Sequence, residues 1–150
     1  MSDQLLTLTV RRTIRATPRR LFEAWTRPEH LMNWWGPRPV KCSGAEVDLR
    51  VGGAYRIGNL FPDGSVLWIH GEFEIVEPYR RLVYSWLAGE TPPLLAERVT
   101  VQFEGRGATT EVIITHERIP DPLARGRHQL GWEGCLDGLT AYFNGPARYI

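Results

Sequence analysis

The sequence predicts an α+β fold in which a curved antiparallel sheet wraps one long C-terminal helix. Three observations lead there. Strand patterns of period two recur from about Val40 onward with turn signals between them, which is the signature of an antiparallel meander. No helical pattern separates those strands after residue 37, so the crossover helices of a parallel α/β fold are missing. The segment from Asp121 to Asn144 reads as a single amphipathic helix of about twenty residues, the longest in the chain.

Taken in order, Leu6, Leu8, Val10 and Ile14 alternate with polar residues and predict a half-buried first strand. Thr17 as cap and Pro18 as first helical residue open a short helix that turns Leu21, Phe22 and Trp25 to one side. Thr26-Arg27-Pro28-Glu29 has capping-box spacing and opens a second, carrying Leu31, Met32, Trp34 and Trp35 and stopped by Gly36-Pro37. Six further strands follow. Their inward or central residues are Val47 and Leu49; Tyr55 and Ile57; Leu67, Ile69, Phe73 and Ile75; Leu82, Tyr84 and Trp86; Val99, Val101 and Phe103; Thr110, Val112, Ile114 and His116. Turns are marked by Gly52-Gly53, Pro62-Asp63-Gly64-Ser65, Glu77-Pro78, Thr91-Pro92-Pro93 and Gly105-Arg106-Gly107. Asp48 is expected to stabilise its turn, and Arg81 to pair with a glutamate.

The long helix is capped by Asp121 with Pro122 next, and is expected to end near Asn144-Gly145-Pro146. At 100° per residue, His128, Trp132, Cys135, Leu136, Leu139, Tyr142 and Phe143 share the face that must be buried. Gly131, Gly134 and Gly138 form a stripe beside it, each costing roughly 1 kcal/mol of helix propensity relative to Ala. Either another backbone packs close against the stripe, or the missing side chains leave room for a bound molecule.

At 150 residues a single domain, 1–150, is expected, and a chain of this size buries a core without staples. The 43% hydrophobic content argues against disorder, and a net charge of +1 gives no electrostatic reason for nucleic-acid binding. Met1-Ser2-Asp3-Gln4 leads directly into the first strand, with no secretory leader and no membrane span, so a cytoplasmic protein is expected. Cys42 and Cys135 form no CxxC pair.

Nucleotide and metal motifs fail on inspection. Gly105-Arg106-Gly107-Ala108-Thr109-Thr110 lacks the third glycine and the following helix of a dinucleotide site, and His70-Gly71-Glu72 lacks the cysteine pair of a zinc deaminase. Among four histidines none stands at metal-ligand spacing from another, so neither a metal nor any cofactor is expected.

Six ordered motifs carry a family resemblance: Phe22-Glu23-Ala24-Trp25-Thr26-x-Pro28-Glu29-His30-Leu31, Trp34-Trp35-Gly36-Pro37, Asp48-x-x-x-Gly52-Gly53, Gly71-Glu72-Phe73, Arg81-Leu82-Val83 and Gly131-Trp132-x-x-x-Leu136-Asp137-x-Leu139. From about Leu8 to Phe143 the chain resembles the bacterial proteins similar to the activator of the heat-shock protein 90 ATPase, within the START-like (SRPBCC) superfamily. The resemblance implies the helix-grip fold, a sheet around a long helix with an apolar cavity between them. It also implies a chaperone as one candidate partner. The eukaryotic activator carries an additional N-terminal chaperone-binding domain, whereas this chain starts at the first helix-grip strand, so chaperone activation is not expected to carry over.

If alternation runs unbroken, Tyr84, Trp86, Phe103, His116, His128 and Trp132 face the space between sheet and helix. With Trp35, Phe73 and Cys135 they make up the expected lining of a ligand cavity, and packing as plain core explains the aromatics as well. His116 and His128 need hydrogen-bond partners on that apolar face, and backbone, Glu117 or Glu133 are the expected ones. One short helix cannot bury both Trp34 and Trp35, so one of them is expected at the cavity mouth or in a subunit contact. The leading expectation is non-catalytic binding of a small hydrophobic molecule by a monomer or weak homodimer. The alternatives are a stress-related co-chaperone, or a cyclase, dehydratase or hydrolase using His116 or His128 as general acid or base.

Overall fold

The computed structural model describes residues 4–144. In chain order they form β1 (Leu6–Ile14), α1 (Pro18–Thr26), α2 (Pro28–Trp34), β2 (Lys41–Val47), β3 (Ala54–Leu60), β4 (Val66–Glu77), β5 (Arg81–Ala88), β6 (Glu97–Arg106), β7 (Thr109–Ile119) and α3 (Pro122–Asn144), with one 3-10 turn at Pro93–Leu95. The expected element order therefore holds. Seven strands form one antiparallel sheet in the order β1-β7-β6-β5-β4-β3-β2. Every link from β2 to β7 joins spatial neighbours, and only β1 crosses to the far edge, where it pairs with β7. α3 packs across β1 and β7 and against α2, which in turn covers β2. α3 is described as far as Asn144, and the expected stop at Gly145-Pro146 lies outside the described residues, as do Met1 to Asp3.

Local chemistry accounts for the helix starts. Thr17 has an extended backbone and its hydroxyl accepts from Arg20 N at 3.2 Å, with Pro18 at the first helical position. Asp121 Oδ1 accepts from Ala124 N at 2.8 Å and opens α3 in the same way. The capping box expected at Thr26 is not formed. Thr26 is instead the last residue of α1, its hydroxyl donates back to Phe22 O at 2.9 Å, and Arg27 becomes the uncapped N-cap of α2. The two helices meet with a single residue between them, so there is no room for Thr26 to serve the second one.

The sheet's inner face follows alternation closely: Val99, Val101 and Phe103 on β6 and Thr110, Val112, Ile114 and His116 on β7 are all buried. The polar member of that set is satisfied locally. Thr110 is fully buried and its hydroxyl donates to Ala16 O at 2.7 Å, tying the start of β7 to the turn before α1. Thr110→Val keeps the shape but leaves that carbonyl without the donor, which is expected to cost about 1–3 kcal/mol, read as a lower urea midpoint with an unchanged slope.

The expectation that Trp34 and Trp35 cannot both be buried is corrected: they are 3% and 5% exposed. α2 does not bury them by itself. Trp34 lies between α1 and α3, donating to Ala24 O at 2.9 Å, while Trp35 turns toward the sheet and donates to Asn59 Oδ1 at 2.8 Å. Asp48 pairs with Arg50 at 2.9 Å, and Arg81 with Glu77 at 3.2 Å, both on the surface as scaffold interactions. Among the described residues no helix is long and apolar enough to cross a membrane.

Candidate functional site

The residues expected to line the space between sheet and helix come together there, all buried except the partly exposed His128, and they touch one another. Trp132 on α3 is the hub: its ring centroid lies 5.6 Å from Trp35, 5.4 Å from Trp86 and 6.2 Å from Trp25, edge-on, tilted and stacked respectively. Tyr84 continues the cluster along β5, accepting from Trp25 Nε1 at 3.2 Å and packing on Tyr55 and Phe73 at 5.0 and 5.9 Å. Phe103 closes the opposite side against Phe22 and Trp25. Cys135 is buried on the same helix face, and burial pushes its thiol up to about 12, so it stays protonated as a small apolar filler.

At one end the aromatic cluster terminates in a polar node. Trp132 Nε1 donates to His116 Nδ1 at 3.0 Å, and His116 Nε2 lies 2.7 Å from Glu97 Oε1. His128 Nε2 reaches the same oxygen at 2.9 Å, with the two imidazoles stacked 4.2 Å apart. Because an indole nitrogen can only donate, Nδ1 of His116 must be the acceptor. Neutral His116 therefore carries its proton on Nε2 and donates it to Glu97. Burial pushes the Glu97 carboxyl up, but the hydrogen bonds from His116 and His128 outweigh it and bring it down to about 2. Burial lowers His116, only partly offset by Glu97, so this ring stays neutral with both nitrogens engaged. It is fully buried as well, and so is poorly placed for the general acid–base role considered from sequence.

Glu117 and Glu133, the carboxylates expected to satisfy the histidines, do not. Glu117 follows His116 directly on β7 and so faces the other side of the sheet, while Glu133 meets Gln129 at 3.2 Å on the outer side of α3. The partner is Glu97, which sequence reading missed. The signal was present: Glu97, Val99, Val101 and Phe103 alternate on one face of β6, and Glu97 sits directly opposite Trp86 in the β5–β6 pair. Glu97, His116 and His128 also place three donor atoms within 4.8 Å of one another, a grouping that could hold a metal ion. Three separate elements supply them, which linear spacing cannot show.

The glycine stripe is resolved in favour of close packing at two of its three positions. A Cβ built at Gly138 would lie 2.5 Å from Trp34 O, and one at Gly134 would lie 2.8 Å from Pro37 Cα. The reading that Gly134 leaves space for a bound molecule is therefore corrected. Gly131 faces open space. Beside this contact runs an open groove of about 1280 Å³ between α2, residues 36–42 and α3, with Trp34 and Trp35 at its wall and Met32 and Leu130 exposed on its rims. Of the expected cavity residues only Trp35 belongs to both this groove and the inner aromatic cluster.

None of the curated proteins matches the chain. Among solved structures, a protein from Chromobacterium violaceum is 28% identical, with a TM-score of 0.81 over 91% of this chain and 96% of its own. The AHSA1 protein from Silicibacter pomeroyi is 21% identical with a TM-score of 0.81 over 93% of this chain and 98% of its own, a likeness of fold. So is that of the AHSA1-like protein from Aeromonas hydrophila, at 22%, 0.80, 97% and 100%. All of them share the sheet gripping a C-terminal helix found here. The family model for Activator of Hsp90 ATPase homolog 1-like protein matches residues 15–144, from the end of β1 to the end of α3, and the chain belongs to that family.

Proposed function

We propose that the protein binds a small apolar ligand without transforming it, and that Trp35 is the residue through which ligand meets core. The observation that carries this reading is the position of Trp35: one side belongs to the wall of the groove between α2 and α3, and the other packs on Trp86 and Trp132. An apolar body in the groove would lie against Trp34, Trp35 and the prolines at 37 and 39, with Cys42 at its floor. From there, movement of Trp35 would open the way to the lining expected from sequence, namely Trp86, Phe73, Tyr84, Phe103, Trp132, Cys135 and the two histidines. Non-catalytic binding is favoured because His116, the deeper histidine, is held neutral between Trp132 and Glu97.

The test is a panel of fatty acids, sterols and polycyclic aromatics scored by melting temperature and tryptophan emission. A ligand at about one hundred times its dissociation constant stabilises the native state by about 2.7 kcal/mol. Trp35→Leu, which keeps an apolar wall but removes the indole, is expected to lower affinity at least about tenfold, or roughly 1.4 kcal/mol. A panel that neither shifts melting nor changes emission in the wild-type protein would end this reading.

A further inference from the structure

We propose that Glu97, His116 and His128 form a reversible site for a divalent transition cation of the zinc type. One residue comes from the first position of β6, one from β7 and one from the second turn of α3, and their donor atoms converge to within 4.8 Å. Two imidazole nitrogens and one carboxylate oxygen make up the donor set of an open zinc site, with the fourth position left to water. Imidazole ligands also favour zinc, copper or nickel over magnesium and calcium, which take oxygen cages.

The geometry needs a local adjustment, and the partly exposed His128 side chain is the one placed to make it. A tetrahedral ion with ligands at about 2.0–2.2 Å spaces them about 3.3–3.6 Å apart. The contacts of 2.7 and 2.9 Å from the two Nε2 atoms to Glu97 Oε1 would therefore have to open by roughly 0.4–0.9 Å. The two rings stack within 21° of parallel with centroids 4.2 Å apart, so their in-plane lone pairs do not meet at one point, and the more exposed His128 ring has to turn out of the stack to share an ion with His116. His128 and Glu97 side chains are 24% and 17% exposed, which gives an ion a solvent approach, while the fully buried His116 forms the floor.

One contact opposes binding and makes the site reversible. A neutral histidine that ligates through Nε2 carries its proton on Nδ1, and here Nδ1 accepts the Trp132 N–H. On metal uptake the ring proton moves from Nε2 to Nδ1 and the indole gives up its bond. Without the ion the groups satisfy each other, and no buried side-chain polar atom among the described residues lacks a partner. The cation is thus a ligand of a fold that is complete without it: the chelator-treated protein is expected to stay folded, with zinc raising its melting temperature only by the linkage of binding.

The experiment is titration of the untagged, chelator-treated protein with zinc chloride, read by calorimetry and by tryptophan emission. One zinc per chain is expected, with emission changing as the Trp132 bond is lost. His128→Gln and Glu97→Gln each weaken binding at least about tenfold. His70→Gln, whose imidazole bonds to Gly89 O elsewhere in the sheet, leaves it unchanged. Trp132→Phe, which removes the opposing donor, binds zinc about tenfold more tightly, equivalent to about 1.4 kcal/mol. Absence of saturable uptake below about 1 mM zinc, or equal affinity in H128Q and wild type, would overturn the site. Unaltered affinity in a folded W132F protein would overturn the tautomer argument.

Discussion

Trp132→Ala lowers the stability of the protein by about 3–5 kcal/mol, the range for emptying a large aromatic from a packed core. The size of the effect follows from where the ring sits. It is 3% exposed, touches Trp25, Trp35 and Trp86, and supplies the hydrogen bond to a fully buried imidazole. Truncation therefore does two things at once: it opens a cavity at the junction of α3 with the sheet, and it removes the donor from the fully buried His116 Nδ1. Against a total stability of about 5–15 kcal/mol typical of such domains, this is a large fraction. Urea unfolding should show a much lower midpoint, and Trp132→Phe separates the two contributions. Phe retains most of the packing, so its loss is expected to be nearer 1–3 kcal/mol, the cost of an unpaired buried polar atom. Equal stability of the alanine variant and wild type would show that the aromatic cluster is not the core's keystone.

Much of this cluster was legible in the sequence, for a definite reason. Period-two alternation in β5, β6 and β7, with the 3.6-residue period in α3, fixes which side chains share the space between sheet and helix, and those patterns are strong here. Tyr84, Trp86, Phe103, His116 and Trp132 were placed by them and are all buried. What sequence does not encode is distance across elements. Glu97 meets His116 and His128 only because β6 and β7 are paired in one register and α3 lies across them at one angle. A search for ligands at fixed spacing along the chain cannot find a set drawn from residues 97, 116 and 128.

The two tryptophans of α2 show the same limit from another side. One seven-residue helix offers a single buried stripe, so adjacent tryptophans argued for one exposed ring. The structure buries both because three neighbours, α1, α3 and β3, each accept part of the load through Ala24 O, the glycine-thinned surface of α3 and Asn59. The local pattern sets which stripe of α2 is apolar; the number of partners an element has is a tertiary property. The Thr26 cap failed in a similar way, since the spacing was right and the one-residue link between α1 and α2 removed the N-cap geometry.

The stripe of glycines on α3 turns this difference into an expected result. In sequence Gly131, Gly134 and Gly138 are equivalent, each weakening the helix by about 0.8–1.0 kcal/mol relative to Ala. In the structure they are not. A Cβ at Gly138 would stand 2.5 Å from the carbonyl oxygen of Trp34, one at Gly134 would stand 2.8 Å from Pro37 Cα, and one at Gly131 meets nothing within 4 Å. Backbone atoms cannot swing aside as a flexible side chain can, so relief at the first two positions requires α2 or the segment after it to move off α3. That motion would drag Trp34 and Trp35 out of the contacts that seat them. Gly138→Ala and Gly134→Ala are therefore expected to lose a net 1–3 kcal/mol or so despite the gain in helix propensity, with Gly134→Leu worse than either. Gly131→Ala should stabilise by up to about 1 kcal/mol. Urea midpoints of the three alanine variants, measured side by side, decide the matter. If Gly138→Ala proves as stable as Gly131→Ala, the close approach of α2 to α3 is not what the stripe is for.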